Sequence, residues 1–273
     1  MTERVVQPDL TQLIAKERQQ QAHNWATSLL CLATVGVALG YGGALDTQRY
    51  VDALPTLMHL AADAFPPDFT RWRAWGKPLL ETLAMSIAGT AVSALAALPL
   101  GALAARNIVP QRWLGEPARL FLNTLRSIPE LIWGVVFVAA VGFGPLPGIL
   151  ALAAHSTGML GKFFAETLEH VTPGPGDALR SHGVSTLGVL RFSIFPQVLP
   201  RLLDVSLYRW EHNLRAATTV GIVGAGGLGL EIMTAFQLFE YREASALLIV
   251  MLGLVTGINL LGGALRVRFM GTS

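Results

Sequence analysis

Residues 131–161 read LIWGVVFVAAVGFGPLPGILALAAHSTGMLG, thirty-one positions without one Asp, Glu, Lys or Arg. A helix rising ~1.5 Å per residue crosses a bilayer core of ~30 Å in about twenty residues, so the stretch is too long for one crossing. Its centre, Gly142-Phe143-Gly144-Pro145-Leu146-Pro147-Gly148, would leave backbone groups unpaired in lipid and marks a turn at the surface. Two spans follow: one over about Ala118–Val141, the next over about Pro147–Leu168.

The same pattern extends outward on both sides. Trp25–Ala44, Thr82–Ala105 and Ala244–Leu265 are also free of charged residues and long enough to cross. About Leu199–Val223 reads as a further span, although it carries Asp204, Arg209, Glu211 and Arg215. Charges at a helix centre cost ~2.5–3.5 kcal/mol each, so these must face protein or a wet cavity. The result is an all-α integral membrane protein of about six transmembrane helices. Its composition agrees: 52% hydrophobic and 14% charged over 273 residues, where soluble domains carry about 25% charged residues.

Basic residues set the orientation. The N-terminal tail, residues 106–119, residues 180–201 and the C-terminus hold 11 Lys and Arg, against five in the opposite connections (Arg49, Arg71, Arg73, Lys77 and Arg242). Both termini and the long connection 169–198 therefore face the cytoplasm. Four segments result: a tail or surface helix at 1–24, a first span and external connection at 25–77, a core at 78–268, and a short tail at 269–273. The net charge of +2 argues neither for a nucleic acid nor for a polyanionic partner, and none is expected.

Connection 173–198 is the most structured of the polar segments. Pro173 and Pro175 stop the preceding helix, Gly183 permits a turn between two short helices, and Pro196 and Pro200 restart the chain toward the next span. An acidic residue at 177, Ala178, Gly183 five positions later and Pro196 thirteen positions after that resemble the loop by which permeases of ATP-binding-cassette importers engage their ATPase subunits. Leu179 stands where that family often has alanine. Over about residues 78–268 the chain is similar to the phosphonate/phosphite branch, through Arg126-Ser127-Ile128-Pro129-Glu130, Gly142–Gly148, Gly161-Lys162-Phe163-Phe164-Ala165-Glu166 and the segment Leu207–Arg215.

The resemblance implies a type I importer permease fold in a bacterial inner membrane, with 173–198 as a cytoplasmic coupling-helix loop. Asp177, Ala178, Leu179, Gly183 and Pro196 would then meet the ATPase. It further implies two ATPase subunits that bind ATP and Mg, a second permease copy or paralogue, a periplasmic substrate-binding protein, and no cofactor or catalytic site in this chain. The cargo would be a phosphonate, phosphite or hypophosphite-like oxyanion. A methionine-type importer permease and a secondary transporter are the alternatives.

An oxyanion crossing a low-dielectric space needs compensating charge, which makes Arg126, Lys162, Arg209 and Arg215 candidates for the path, with Glu81, Glu130, Glu166 and Glu211 as their counter-charges. The competing reading is a set of ion pairs that only hold the bundle together. Gly224, Gly226, Gly227 and Gly229 fit the G-x-G-x-x-G spacing, but no strand precedes them and no acid stands ~20 residues on. They read as a gate or re-entrant turn, or as close helix packing. The six histidines show no paired ligand spacing, which predicts no metal site.

Overall fold

The structure, a computed structural model, describes residues 10–109 and 111–270. Residues 1–9 of the expected N-terminal tail and 271–273 of the expected C-terminal tail lie outside them. Among the described residues every regular element is helical. The chain divides into two compact units, Met1–Ala62 and Asp63–Ser273.

In the first unit, α1 (Leu10–Tyr41) is one helix of 32 residues, so positions 10–24 are not set off from the first span. Next comes α2 (Thr47–Asp63), with no buried residue, inside what reads in the sequence as a polar connection.

The second unit is built on α3 (Gly76–Ala104), α4 (Arg112–Ser127), α5 (Glu130–Val141), α6 (Pro145–Glu169), α7 (Pro173–Ser181), α8 (Thr186–Val189), α9 (Phe195–Val220), α10 (Gly227–Gln237) and α11 (Tyr241–Met270). Among the described residues three segments are alone long and apolar enough to cross a membrane: Lys16–Tyr41 of α1, α3, and Tyr241–Arg268 of α11. Two bent pairs raise the number to five if each makes one span. The helix α6 is the remaining expected span. At 25 residues it is about 37 Å long, and it carries Ser156, Thr157, Lys162 and Glu166 from its middle onward.

The expected third span differs most. Instead of one helix from Ala118 to Val141, α4 and α5 meet at 89°. Pro129 has no N–H to give the ladder, and it drives Ile128 before it out of the helical region, to φ −90° and ψ 119°. The turn at Gly142–Gly148 forms as the sequence predicts, with Gly142 and Gly144 at φ +87° and +128°.

The scaffold packs through small residues. The helices α3 and α6 lie against each other along their length, and α9 completes the central layer. A Cβ at Gly89 would sit 2.8 Å from Leu152 Cβ, and one at Gly101 2.9 Å from Gly161 O. Leu122 of α4 rests against Gly161, and the α4 backbone at Leu122 and Arg126 closes onto Gly158. Without a hydrophobic driving force between helices in lipid, such close backbone approach is what dispersion has to work with. The start of α11 is tied to the segment before α3: Glu243 accepts from Arg71 Nη1 at 3.0 Å and Trp75 Nε1 at 3.2 Å, and Arg242 Nε donates to Pro66 O at 2.9 Å.

Candidate functional site: a buried polar layer and a protruding loop

The centre of the bundle contains a polar layer. Arg209 of α9 is 5% exposed and donates from Nε to Ser156 Oγ of α6 at 2.8 Å. Ser156 Oγ donates to Asn213 Oδ1 at 2.8 Å, Asn213 Nδ2 donates to Thr90 Oγ1 of α3 at 2.9 Å, and Thr90 Oγ1 donates to Ser86 O at 2.7 Å. This directional chain holds the guanidinium across three helices. One donor, Arg209 Nη2, is buried with no partner among the described residues.

Glu130 stands beside this chain in the first turn of α5. Its carboxylate lies 3.6 Å from His155 Nε2 and 3.8 Å from His212 Nε2. Glu130, His155 and Arg209 lie within electrostatic range of one another. Both histidines were missed in the sequence, where they read as scattered. They lie 57 positions apart, and only the packing of α6 on α9 joins them. His212 is three residues after Arg209, so helical spacing is the one signal that pointed to it.

Arg126 and Lys162 sit elsewhere. They line a cleft of about 380 Å³ with Arg106, Arg119, Asn123, Glu166 and Glu169. Arg126 Nε donates to Asn123 Oδ1 at 3.0 Å, and Lys162 pairs with Glu166 at 3.4 Å on the same helix. Because 155, 162, 166 and 169 recur at helical spacing, one stripe of α6 runs from the buried layer to this cleft. Glu211 is not with Arg209. Two positions apart on a helix face nearly opposite ways, and Glu211 instead accepts from Arg266 Nη2 of α11 at 2.6 Å, while Arg266 Nε reaches Asp204 at 3.3 Å. This is an interhelical ion network. Arg215 is exposed and belongs to neither group.

The glycine run is a packed joint. At Gly221–Ala225 the helix breaks in a kink at Gly224, and the chain bends by 60° into α10. Gly224, Gly226 and Gly227 have φ of +106°, +84° and +70°, which side chains rarely adopt, and all four candidate glycines are buried. The exposed N–H groups of α10 are capped from α3: Gly227 N donates to Glu81 Oε2 at 3.0 Å and Leu228 N to Thr82 Oγ1 at 2.9 Å. Thr82→Val removes that acceptor and is expected to lower stability by about 1 kcal/mol, read as an earlier melt of the detergent-solubilised chain.

The two short helices and the glycine turn form in connection 173–198, with one difference. At the end of α7, Gly183 takes φ +74°, Gly183 N donates to Arg180 O at 3.0 Å and Val184 N to Leu179 O at 3.1 Å. Asp177 is spent on a surface pair with Arg180 at 2.9 Å. The second short helix does not stop at Pro196. From α8 it passes through a π-helical turn at Leu190–Ile194 directly into α9, with Pro196 in the first turn of α9, where its missing N–H is harmless. Leu187 and Phe192 are 77% and 68% exposed beside it.

The family model described as "binding-protein-dependent transport system inner membrane component" matches residues 97–269, more than half of the chain. The chain belongs to that family. The permease is 48% identical over 240 residues to the phosphite transport system permease protein PtxC of Stutzerimonas stutzeri, across 88% of this chain and 87% of that one. It is 38% identical to the phosphate-import permease protein PhnE of Mycolicibacterium smegmatis, over 79% of this chain and 41% of that protein. Among solved structures, a chain of the inward-facing MetNI methionine ABC transporter superposes with a TM-score of 0.63, at 22% identity over 71% of the permease and 95% of that chain. The fold is therefore that of the type I importer permeases, and a secondary transporter is set aside.

Proposed function

We propose that this permease subunit moves a phosphonate, phosphite or hypophosphite-like oxyanion inward across the bacterial inner membrane, with phosphite the first candidate. The chain itself is non-catalytic. Two partner ATPases bind ATP and Mg, a second permease copy or paralogue completes the pore, and a periplasmic binding protein delivers the cargo. In this reading the chain has six spans with both termini in the cytoplasm, and the 173–198 loop meets the ATPases. Arg126, Lys162 and Glu166 mark the cytoplasmic stretch of the path, and Arg209 and Glu130 its centre.

The observation that carries this reading is Arg209: a guanidinium buried among packed helices, with a donor left without a partner among the described residues. Buried charges in membrane helices are expensive, and an oxyanion is the partner a planar guanidinium fork recognises best. A methionine carrier would have less use for it. The test is growth on phosphite as sole phosphorus source, in a host that oxidises phosphite but has no phosphite importer. Growth restored by this gene with its ATPase and binding protein supports the reading; growth on phosphite unchanged by the gene, with the complex assembled, overturns it.

Coupling has its own test. A Cβ at Gly183 meets nothing within 4 Å, so Gly183→Asp adds only the left-handed strain of about 1–2 kcal/mol and a charge on the docking face. The variant is expected to insert normally but to lose copurification of the ATPase. Normal copurification and normal transport would remove this loop from the coupling role.

A further inference from the structure

The polar layer contains more donors than its internal acceptors use. His155 Nδ1 lies 2.9 Å from Ile128 O, an atom that only accepts, so this ring nitrogen carries the proton. Its Nε2 faces Glu130 at 3.6 Å, and it donates to a carboxylate or an oxyanion when the ring carries a second proton. His212 Nε2 approaches the other carboxylate oxygen from α9. At 3.6 and 3.8 Å both contacts exceed the length of a charge-assisted hydrogen bond, ~2.7–2.9 Å. Glu130 is held loosely. By contrast Arg209 is held rigidly through Ser156, Asn213 and Thr90, with Nη2 to spare.

We propose that Arg209, His155 and His212 form an oxyanion-binding site between α5, α6 and α9, and that the Glu130 carboxylate is its built-in competitor, holding the two histidines in alternation with the transported anion while Arg209 Nη2 is left to the anion alone. This rests on the reading of the chain as an oxyanion permease and adds a site that includes both histidines. A carboxylate and a phosphite or phosphonate oxyanion present the same acceptor chemistry, and a tetrahedral anion has oxygens for Nη2 and both Nε2 atoms. Glu130 has somewhere to go. It begins α5 immediately after the Pro129 break, where α4 and α5 meet at 89°, and a carboxylate in the first turn of a helix is stabilised by the helix dipole without the histidines. An internal competitor also lets the site release its anion, which a transporter requires and a tight trap would prevent.

The test uses the full permease with its ATPase subunits in lipid nanodiscs and measures binding of phosphite, methylphosphonate and sulfate by calorimetry, with ³¹P line broadening for the two phosphorus anions. Glu130→Gln, which removes the competing charge but not the side chain, is expected to bind the preferred oxyanion about tenfold more tightly than wild type and to release it more slowly. Arg209→Gln is expected to lose that binding. In the wild-type protein the preferred oxyanion should shift the imidazole ¹⁵N signals of His155 and His212, a readout independent of whether either variant folds. If no oxyanion moves those signals and Glu130→Gln binds none more tightly, the site is refuted. If sulfate or methylphosphonate produces both effects and phosphite neither, the site stands and phosphite as cargo is refuted.

Discussion

Arg209→Gln is expected to cut ATP-driven uptake by at least about a hundredfold. Removing one partner of a buried charge cluster costs ~3–5 kcal/mol, and each ~1.4 kcal/mol applied to the transport barrier is a factor of ten. Part of that cost falls on folding, because Ser156 loses its donor and Glu130 a favourable charge nearby. Arg209→Lys separates the two contributions. Lysine keeps the charge, so the protein should accumulate normally, but a single ammonium cannot hold Ser156 and also present a second, fixed donor. Uptake by Arg209→Lys is therefore expected to fall about tenfold at normal protein level. Full uptake by the lysine variant would show that only the charge, and not the fork, is used.

Gly229→Ala is expected to be the most damaging single methyl in the chain. An added Cβ would lie 2.0 Å from Thr218 O, 2.8 Å from Thr218 C and 3.0 Å from Thr218 Cα. All three atoms belong to the α9 backbone, which cannot rotate away as a side chain would. Overpacking typically costs ~1–3 kcal/mol where side chains give; against rigid backbone about 3 kcal/mol or more is expected. Folded permease should fail to accumulate. Gly253 is the control: a Cβ there meets nothing within 4 Å, it lies in α11, and Gly253→Ala should be neutral or stabilising by up to about 1 kcal/mol. Equal behaviour of the two variants in a membrane-fraction immunoblot and thermal melt would contradict the packed-joint account of residues 221–229.

Local chemistry made much of this architecture readable. The turn at Gly142–Gly148, the apolar runs of α3 and α11 and the left-handed end of α7 at Gly183 follow from residue types that act where they stand. The bend at Pro129 was also written locally, in Ser127-Ile128-Pro129, but the apolar run on either side outweighed it in a reading by hydropathy. The π-helical turn before α9 had no comparable signal, since Leu190–Ile194 has ordinary helix formers.

The site divides the same way. Arg209 and Glu130 stood out because charge inside an apolar segment is costly wherever it sits. Their distribution did not: Glu211 turns to Arg266, 55 positions away, and Arg126 to the cleft whose α6 wall begins at Lys162, 36 positions away. Helical spacing alone separates Glu211 from Arg209. The pairing of His155 with His212 through Glu130 required knowing that α5, α6 and α9 meet.

The most direct measurement is phosphite accumulation by proteoliposomes that hold this permease with its ATPase subunits, given the loaded binding protein outside and ATP inside. ATP-dependent accumulation of phosphite, lost in Arg209→Gln, is the predicted result. A complex that hydrolyses ATP in response to its loaded binding protein yet accumulates no phosphite or related oxyanion would contradict the account.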